Sequence, residues 1–202
     1  MDWQQKTIDV YDKHAQELAN YFATIGSRSD DIKRGIKLAK ISSNPICIEI
    51  GCGDGRDAKE IIKFIKNYIG IDPSLELIKL AAKNLPNAKF ITSNAIDFDY
   101  PKNIDVVFAF ASFLHIDQQV LKTVLQKIKT NLKLDGVIYM SMKYRDVYTE
   151  EIKSDKYGER MFYYYTPELI QDLAGDDFKT IYKDFQTIGN TVWFTLVLKK
   201  TN

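Results

Sequence analysis

The chain has 202 residues, 45% hydrophobic and 27% charged, the balance of a soluble globular protein with a sizeable core. Its 28 Lys plus Arg stand against 27 Asp plus Glu, a formal charge of +1, which excludes the strongly basic face of a general nucleic-acid binder. No stretch approaches the roughly 18 apolar residues of a membrane span, and "MDWQQKTIDVYDKHAQ" has no apolar signal region, so no membrane partner and a cytoplasmic location are expected.

Ile8, Tyr11, Ala15, Leu18 and Phe22 recur at three- and four-residue steps, which predicts one amphipathic helix over about 3–24. Gly26 breaks it, and a shorter helical pattern runs from about Asp31 to Ile41. Pro45 introduces "ICIEI", a buried strand bounded by a glycine turn. Ala58, Ile61, Ile62 and Ile65 then form a helical face, "YIGID" is a second strand, and Pro73-Ser74 opens a helix through about Asn84. "KFITS" and "IDVVFAFA" are further strands, with a helix from about Asp117 to Leu132 after them. Asp135-Gly136 turns into a fifth strand, "VIYMSMK". Lys122, Lys127 and Lys129 read as the solvated side of the last helix.

Residues from about Tyr144 to Arg160 read as a polar excursion, a mobile loop or partial lid. "TPELIQDLA" is a helix with Thr166 as cap and Pro167 at its first position. "FKTIYKDFQTI" and "TVWFTLVLKK" are two strands joined through Gly189-Asn190. This alternation predicts an α/β fold: a doubly wound, mostly parallel sheet of about seven strands with a C-terminal antiparallel hairpin. No repeat or linker divides the chain, so residues 1–202 are expected to form one domain with a helical cap over about 1–44.

The stretch "CIEIGCGDGRD" carries the functional signal. Gly51, Gly53 and Gly55 alternate, and Arg56 stands where the dinucleotide fingerprint has its last glycine. The loop is acidic, with Glu49, Asp54 and Asp57, and would repel a pyrophosphate while welcoming a cationic ligand. Ligands of such sheets collect at the carboxyl ends of the strands. Asp72, ending the second strand, is placed to accept from both hydroxyls of a ribose, and Asn94 and Asp97 follow the third strand near where an adenine would lie. The cysteines, Cys47 and Cys52, form no C-x-x-C pair and fit a reducing compartment. The His and Cys residues lack ligand spacing, so no metal is expected.

"IEIGCGDGRD", "IGIDPS", "DVVFAFASFLHI", "LKLDGVIYMSMK", "ERMFYYYTPELI" and "VWFTLVLKK" together resemble the class I S-adenosylmethionine-dependent methyltransferases, in a small-molecule-type branch with a Rossmann-like fold. The resemblance spans nearly the whole chain and departs from the family at Asn94, where an acidic residue is common, and at Asp135-Gly136, where Gly-Gly is frequent. It implies that Glu49 orders the glycine loop and that backbone at Gly51 and Gly53 meets the methionine part of S-adenosylmethionine. Arg56 or Asp57 would hold that part's carboxylate or ammonium, with support of the first helical turn as the alternative for Asp57. Pro73, Ala95 and Ala109 complete the implied cofactor set. Tyr11 either covers the cofactor or is a core tyrosine on its helical stripe.

His115, after the fourth strand, stands where an acceptor would meet the methyl group; it is either a general base or a structural histidine. His14 reads as inert. Lys143 and Arg160 either hold an anionic acceptor or form surface ion pairs, and at most two of Tyr163, Tyr164 and Tyr165 can line one pocket. The expected activity is methyl transfer from S-adenosylmethionine to a small-molecule acceptor, by a monomer or homodimer. The rivals are a protein methyltransferase, a non-catalytic domain that binds the cofactor to sense it or engage a partner, an aminopropyl transferase and a dinucleotide oxidoreductase.

Overall fold

Three helices lead the chain, which a computed structural model describes over residues 2–202: α1 (Trp3–Lys13), α2 (Ala15–Ile25) and α3 (Ser29–Ala39). The apolar stripe expected to make one helix makes two. His14 leaves helical geometry (φ −114°, ψ 23°), and the break lets α1 pack on residues 158–164 as well as on the helix at 75–84 that α2 also meets. Gly26, at φ +79°, ends the second helix.

Next come β1 (Ile46–Ile50), α4 (Ala58–Ile61), β2 (Asn67–Asp72), α5 (Leu75–Asn84), β3 (Lys89–Thr92) and β4 (Ile104–Phe110). A short 3-10 turn (Phe113–His115) leads into α6 (Gln118–Asn131), β5 (Leu132–Lys143), β6 (Thr149–Asp155) and β7 (Gly158–Tyr164). The chain closes with α7 (Pro167–Ala174), β8 (Phe178–Ile188) and β9 (Thr191–Lys200). Seven strands form one sheet in the order β3-β2-β1-β4-β5-β9-β8, parallel except for β9, which runs antiparallel to both neighbours. Every residue of β4 is buried, as a continuous apolar run in the middle of a covered sheet should be.

The core lies on both faces. Ile48, Ala109, Met140 and Leu196 pack with residues of α6 and α7, while Cys47, Phe108, Tyr139 and Val197 pack with residues of α3 and α4. The order of strands reverses between β1 and β4, so a crevice opens at their carboxyl ends. Among the described residues no helix is long and apolar enough to cross a membrane.

The polar excursion is a hairpin, not a loop. β6 and β7 pair antiparallel from Thr149↔Tyr164 to Asp155↔Gly158 and form a separate two-stranded sheet. Its sequence looked irregular because one face meets solvent while the other presents Arg160, Phe162 and Tyr164 to the crevice side rather than to the main core. Gly158, at φ +136°, lies against Val10, which seats α1 on the hairpin tip. Asp135 keeps its turn geometry (φ 65°), but as an irregularity inside β5, which already begins at Leu132. Of the lysines expected in solvent, Lys127 donates to the Ile96 carbonyl (2.6 Å) and Lys129 pairs with Asp177 (2.7 Å).

Candidate active site

The glycine turn is held by β2. The backbone N–H groups of Gly51 and Cys52 both donate to the Ile71 carbonyl (2.8 and 3.0 Å). Gly51 has φ +73°, and a Cβ there would stand 2.4 Å from the Ser112 Cβ, so the turn and the segment after β4 touch through this missing side chain. Gly53, at φ +55°, has nothing within 4 Å of where its Cβ would be; its backbone faces open space. The Gly53 N–H donates to Asp72 Oδ2 (3.0 Å), and the Ser74 N–H donates to Asp72 Oδ1 (2.9 Å). Each carboxylate oxygen therefore spends one lone pair on backbone and keeps another for a ligand. Burial raises the Asp72 carboxyl to about 6, against the pull of those two N–H groups.

Pro73 is half-buried between Asp72 and the Ser74 N-cap, whose hydroxyl accepts from the Leu77 N–H (3.2 Å). Asn94 follows β3 with its amide nitrogen 3.4 Å from Asp97, and its buried Oδ1 has no hydrogen-bond partner. That orphaned acceptor suits an exocyclic amine. Ala95 sits beside it, its carbonyl accepting from the Tyr100 hydroxyl (2.9 Å).

Other expected residues are held mainly by the core or by one another, although Arg56 Nε is buried without a partner. Ala109 is fully buried within β4, opposite Met140, so its side chain belongs to the core and not to the crevice. The positions at the crevice are the next ones along: Ala111, with φ 52°, and Ser112. Buried Glu49 accepts from the Tyr68 hydroxyl and not from the glycine loop; burial, with Asp57 and Asp72 near, keeps its carboxyl well above the usual range. Arg56 and Asp57 pair with each other (2.5 Å), while Asp57 Oδ1 takes the Arg28 N–H (2.9 Å) and Arg56 reaches the Phe22 carbonyl (3.5 Å). Together they tie the N-terminal helices to the turn. Asp57 supplies no side-chain cap to α4, and α4 ends after four residues.

On the far side of the crevice, side chains hold side chains. His115 Nδ1 bonds the Met161 carbonyl (2.8 Å), an acceptor only, so Nδ1 carries the proton and Nε2 accepts. The Tyr11 hydroxyl then donates to Nε2 (2.9 Å) and itself accepts from Arg160 Nη1 (3.2 Å). Burial pushes His115 down to about 3, leaving a neutral imidazole with both nitrogens engaged. Arg160 also pairs with Asp155, and its Nε is buried without a partner. Lys143 Nζ lies 3.8 Å from the centre of the Phe162 ring, and the His115 ring and the Arg160 guanidinium lie 4.7 and 5.6 Å from it. The three residues do meet, around Phe162. No carboxylate lies within 4 Å of Lys143 among the described residues; burial first, then Lys153 and Arg160, lower its amine to about 8.

α1 completes this side. Thr7 Oγ1 accepts from the Met161 N–H (3.1 Å), Lys6 pairs with Glu159 (2.6 Å), and Asp12 Oδ1 accepts from Ser74 Oγ (2.6 Å) and the Glu76 N–H (3.0 Å). Asp12 and Ser112 escape a reading of the sequence because their partners lie some 60 residues away. His14 is half-buried beside Tyr157, with ring centres 5.5 Å apart.

A family model described as a methyltransferase domain matches residues 47–136. An uncharacterized protein of Methanocaldococcus jannaschii is 30% identical over 66% of this chain, a match that spans 50% of that protein. An uncharacterized methyltransferase of a Geobacillus species is 24% identical over 95% of this chain and 89% of its own. The crystal structure of Burkholderia thailandensis 1,6-didemethyltoxoflavin-N1-methyltransferase, with its acceptor and S-adenosylhomocysteine bound, superposes with a TM-score of 0.73 at 14% identity, covering 98% of this chain and 89% of that one.

Proposed function

The chain belongs to the class I S-adenosylmethionine-dependent methyltransferases, and from that premise we propose that it methylates a small-molecule acceptor in the crevice between the glycine turn and the β6–β7 hairpin. The observation that carries this reading is the set of ligand-ready groups on three successive strand ends. Gly53 offers backbone in open space beside Gly51, Asp72 keeps two free lone pairs, and Asn94 Oδ1 is unpartnered. A nucleoside with a methionine-derived tail fits that series: Asp72 would take the ribose hydroxyls, Asn94 the adenine amine and the glycine backbone the tail, with Pro73 and Ala95 as neighbours.

S-adenosylmethionine supplies a methyl group already activated on a sulfonium. The chain is left to orient the acceptor and to exclude water. α1 and the hairpin cover the acceptor side, clasped through Lys6–Glu159, Thr7–Met161 and the Arg160–Tyr11–His115 chain. His115 fixes the Tyr11 hydroxyl and is not a free base, which favours an acceptor atom that needs no strong base. Lys143, with no carboxylate partner, supports an anionic group on the acceptor. The Burkholderia enzyme, which shares the fold, has the small molecule 1,6-didemethyltoxoflavin bound, which supports a small-molecule acceptor here.

Calorimetry with S-adenosylhomocysteine, followed by a screen of metabolites for its release from S-adenosylmethionine, tests the reading. Binding with no turnover on any small acceptor would favour the sensor reading, turnover on protein side chains the protein methyltransferase. No binding of either ligand would end the proposal.

A further inference from the structure

We propose that a second pocket, built on Arg28 and Ser141, selects acceptors bearing a carboxylate; this rests on the methyl-transfer reading above. The pocket is a cleft of about 370 Å³ between the start of α3, the carboxyl end of β5 and the outer strands β9 and β8. Its walls include Trp193, Thr195 and Gln186. Two independent features mark it as a ligand site.

The first is Ser141, 2% exposed, whose buried Oγ lines the cleft and has no hydrogen-bond partner. A buried hydroxyl without a partner costs about 1–3 kcal/mol of desolvation, so an acceptor oxygen arriving there recovers a lost bond. The second is the Arg28 guanidinium, which makes no hydrogen bond among the described residues and has one carboxylate within 4 Å, Asp31 Oδ2 at 3.8 Å. Asp31 is shared: its Oδ1 accepts from Arg34 (3.0 Å) and from the Tyr139 hydroxyl (2.6 Å), which leaves Oδ2, 3.8 Å away, to face Arg28. Burial works against the Arg28 charge. An under-neutralised guanidinium beside an unpartnered hydroxyl is the donor set of a carboxylate site, with a planar fork for its two oxygens.

Position assigns this carboxylate to the acceptor and not to the methionine tail. The Arg28 backbone ties to Asp57 at the glycine turn; its guanidinium, still within the field of Asp57 and Arg56, lies over the Phe110 ring (5.3 Å) at the end of β4. Ser141 pairs with Phe110 from β5, two strands from the turn. The cleft also adjoins the Lys143 group through Trp193, whose ring lies 5.8 Å from Lys143 Nζ. An anionic acceptor bridging Lys143 and Arg28 would lie across the mouth of β4.

The test uses matched probes, benzoate against benzamide and nicotinate against nicotinamide, titrated by calorimetry into the full chain with and without saturating S-adenosylhomocysteine. The carboxylate of each pair should bind about 10- to 100-fold tighter, the worth of a charge-assisted contact. Arg28→Gln should erase that preference, and Ser141→Ala should weaken it several-fold, while affinity for S-adenosylhomocysteine stays within about threefold. Ser141→Ala should melt no lower than the wild type, because it removes an unpartnered buried hydroxyl, so its loss of preference is not a folding defect. Equal binding within the pairs, no carboxylate binding, or a preference surviving Arg28→Gln would overturn the inference. So would a tenfold or greater loss of S-adenosylhomocysteine affinity in Arg28→Gln, which would place Arg28 on the methionine tail. Failure of the wild type to bind S-adenosylhomocysteine would instead strike at methyl transfer, and the probe preference would still be read without it.

Discussion

The two banks of the crevice are built by opposite means. On the glycine-turn bank, backbone does the holding: Asp72 is fixed by the Gly53 and Ser74 N–H groups, and the turn by two bonds to the Ile71 carbonyl. Those partners are close in sequence or one strand away. On the hairpin bank, Arg160, Tyr11 and His115 hold one another across 149 and 104 residues of chain. On the proposed reading, the backbone cradle would fix the ligand common to the family, whereas a side-chain network could be rebuilt for each acceptor without disturbing it.

The sharpest way to break the first bank is Gly51→Ala. A side chain there is strained at φ +73° and collides with Ser112. The left-handed backbone costs about 1–2 kcal/mol and the overlap about 1–3 kcal/mol more. For a chain of this size that lowers Tm by roughly 4–20 °C. Adding Ser112→Gly should recover the overlap part only. Gly53→Ala, with open space around it, should cost the backbone part alone; equal melting of the two single variants would contradict this geometry.

Asp72→Ala should come next, weakening S-adenosylmethionine about 30- to 100-fold by calorimetry, since it loses charge-assisted bonds worth about 2–3 kcal/mol. Its carboxyl titrates near 6 when folded, above the ordinary 3.8. The protonated form is thus favoured by folding; this contribution is complete in acid and is lost as pH rises through about 6. Ligand binding draws on the ionised form, so affinity should climb between pH 5 and about 7. The same titration in Asp72→Asn should be flat, and a wild-type curve without this rise would detach Asp72 from the ribose.

The same contrast explains what the sequence made legible. The succession of strands and helices, the glycine turn and the place of Asp72 at the end of β2 could be read because alternation, turn chemistry and a spacing of about twenty residues are local signals. The Ala109 side chain lies in the core because β4 runs on past it, and periodicity cannot say where a fully buried strand ends; the positive φ of Ala111 marks that end. Tyr144 to Arg160 looked like a loop because a two-stranded sheet over a crevice has little apolar face to advertise. The break at His14 depends on what α1 and α2 pack against, and no pattern within residues 3–24 carries that.

Tyr11→Phe would probe the second bank at its middle. It strips His115 Nε2 and Arg160 Nη1 of a partner at once, at a cost of about 1–3 kcal/mol. A Tm lower by about 2–10 °C is expected, with affinity for S-adenosylhomocysteine within about threefold. A large loss of that affinity would move Tyr11 to the cofactor side. His115→Phe with Tyr11→Phe should be less destabilising than the sum of the single variants, because one shared bond is lost only once.

The smallest effect belongs to Lys143, and it separates burial from pairing. Its amine sits near 8 in the fold, depressed from 10.5 first by burial, with Lys153 and Arg160 adding repulsion. Between those two values the unfolded chain holds a proton that the folded chain has released, so this residue makes stability rise with pH across that window. Lys143→Met removes the contribution. The difference in Tm between wild type and variant should shift in favour of the wild type by about 1–3 °C from pH 8 to 10, a modest value because the side chain is only partly buried. An anionic acceptor bound through the charged amine would weaken over the same range. If the two proteins keep a constant difference in Tm, Lys143 is neutralised by a partner, and its place in the acceptor site is lost.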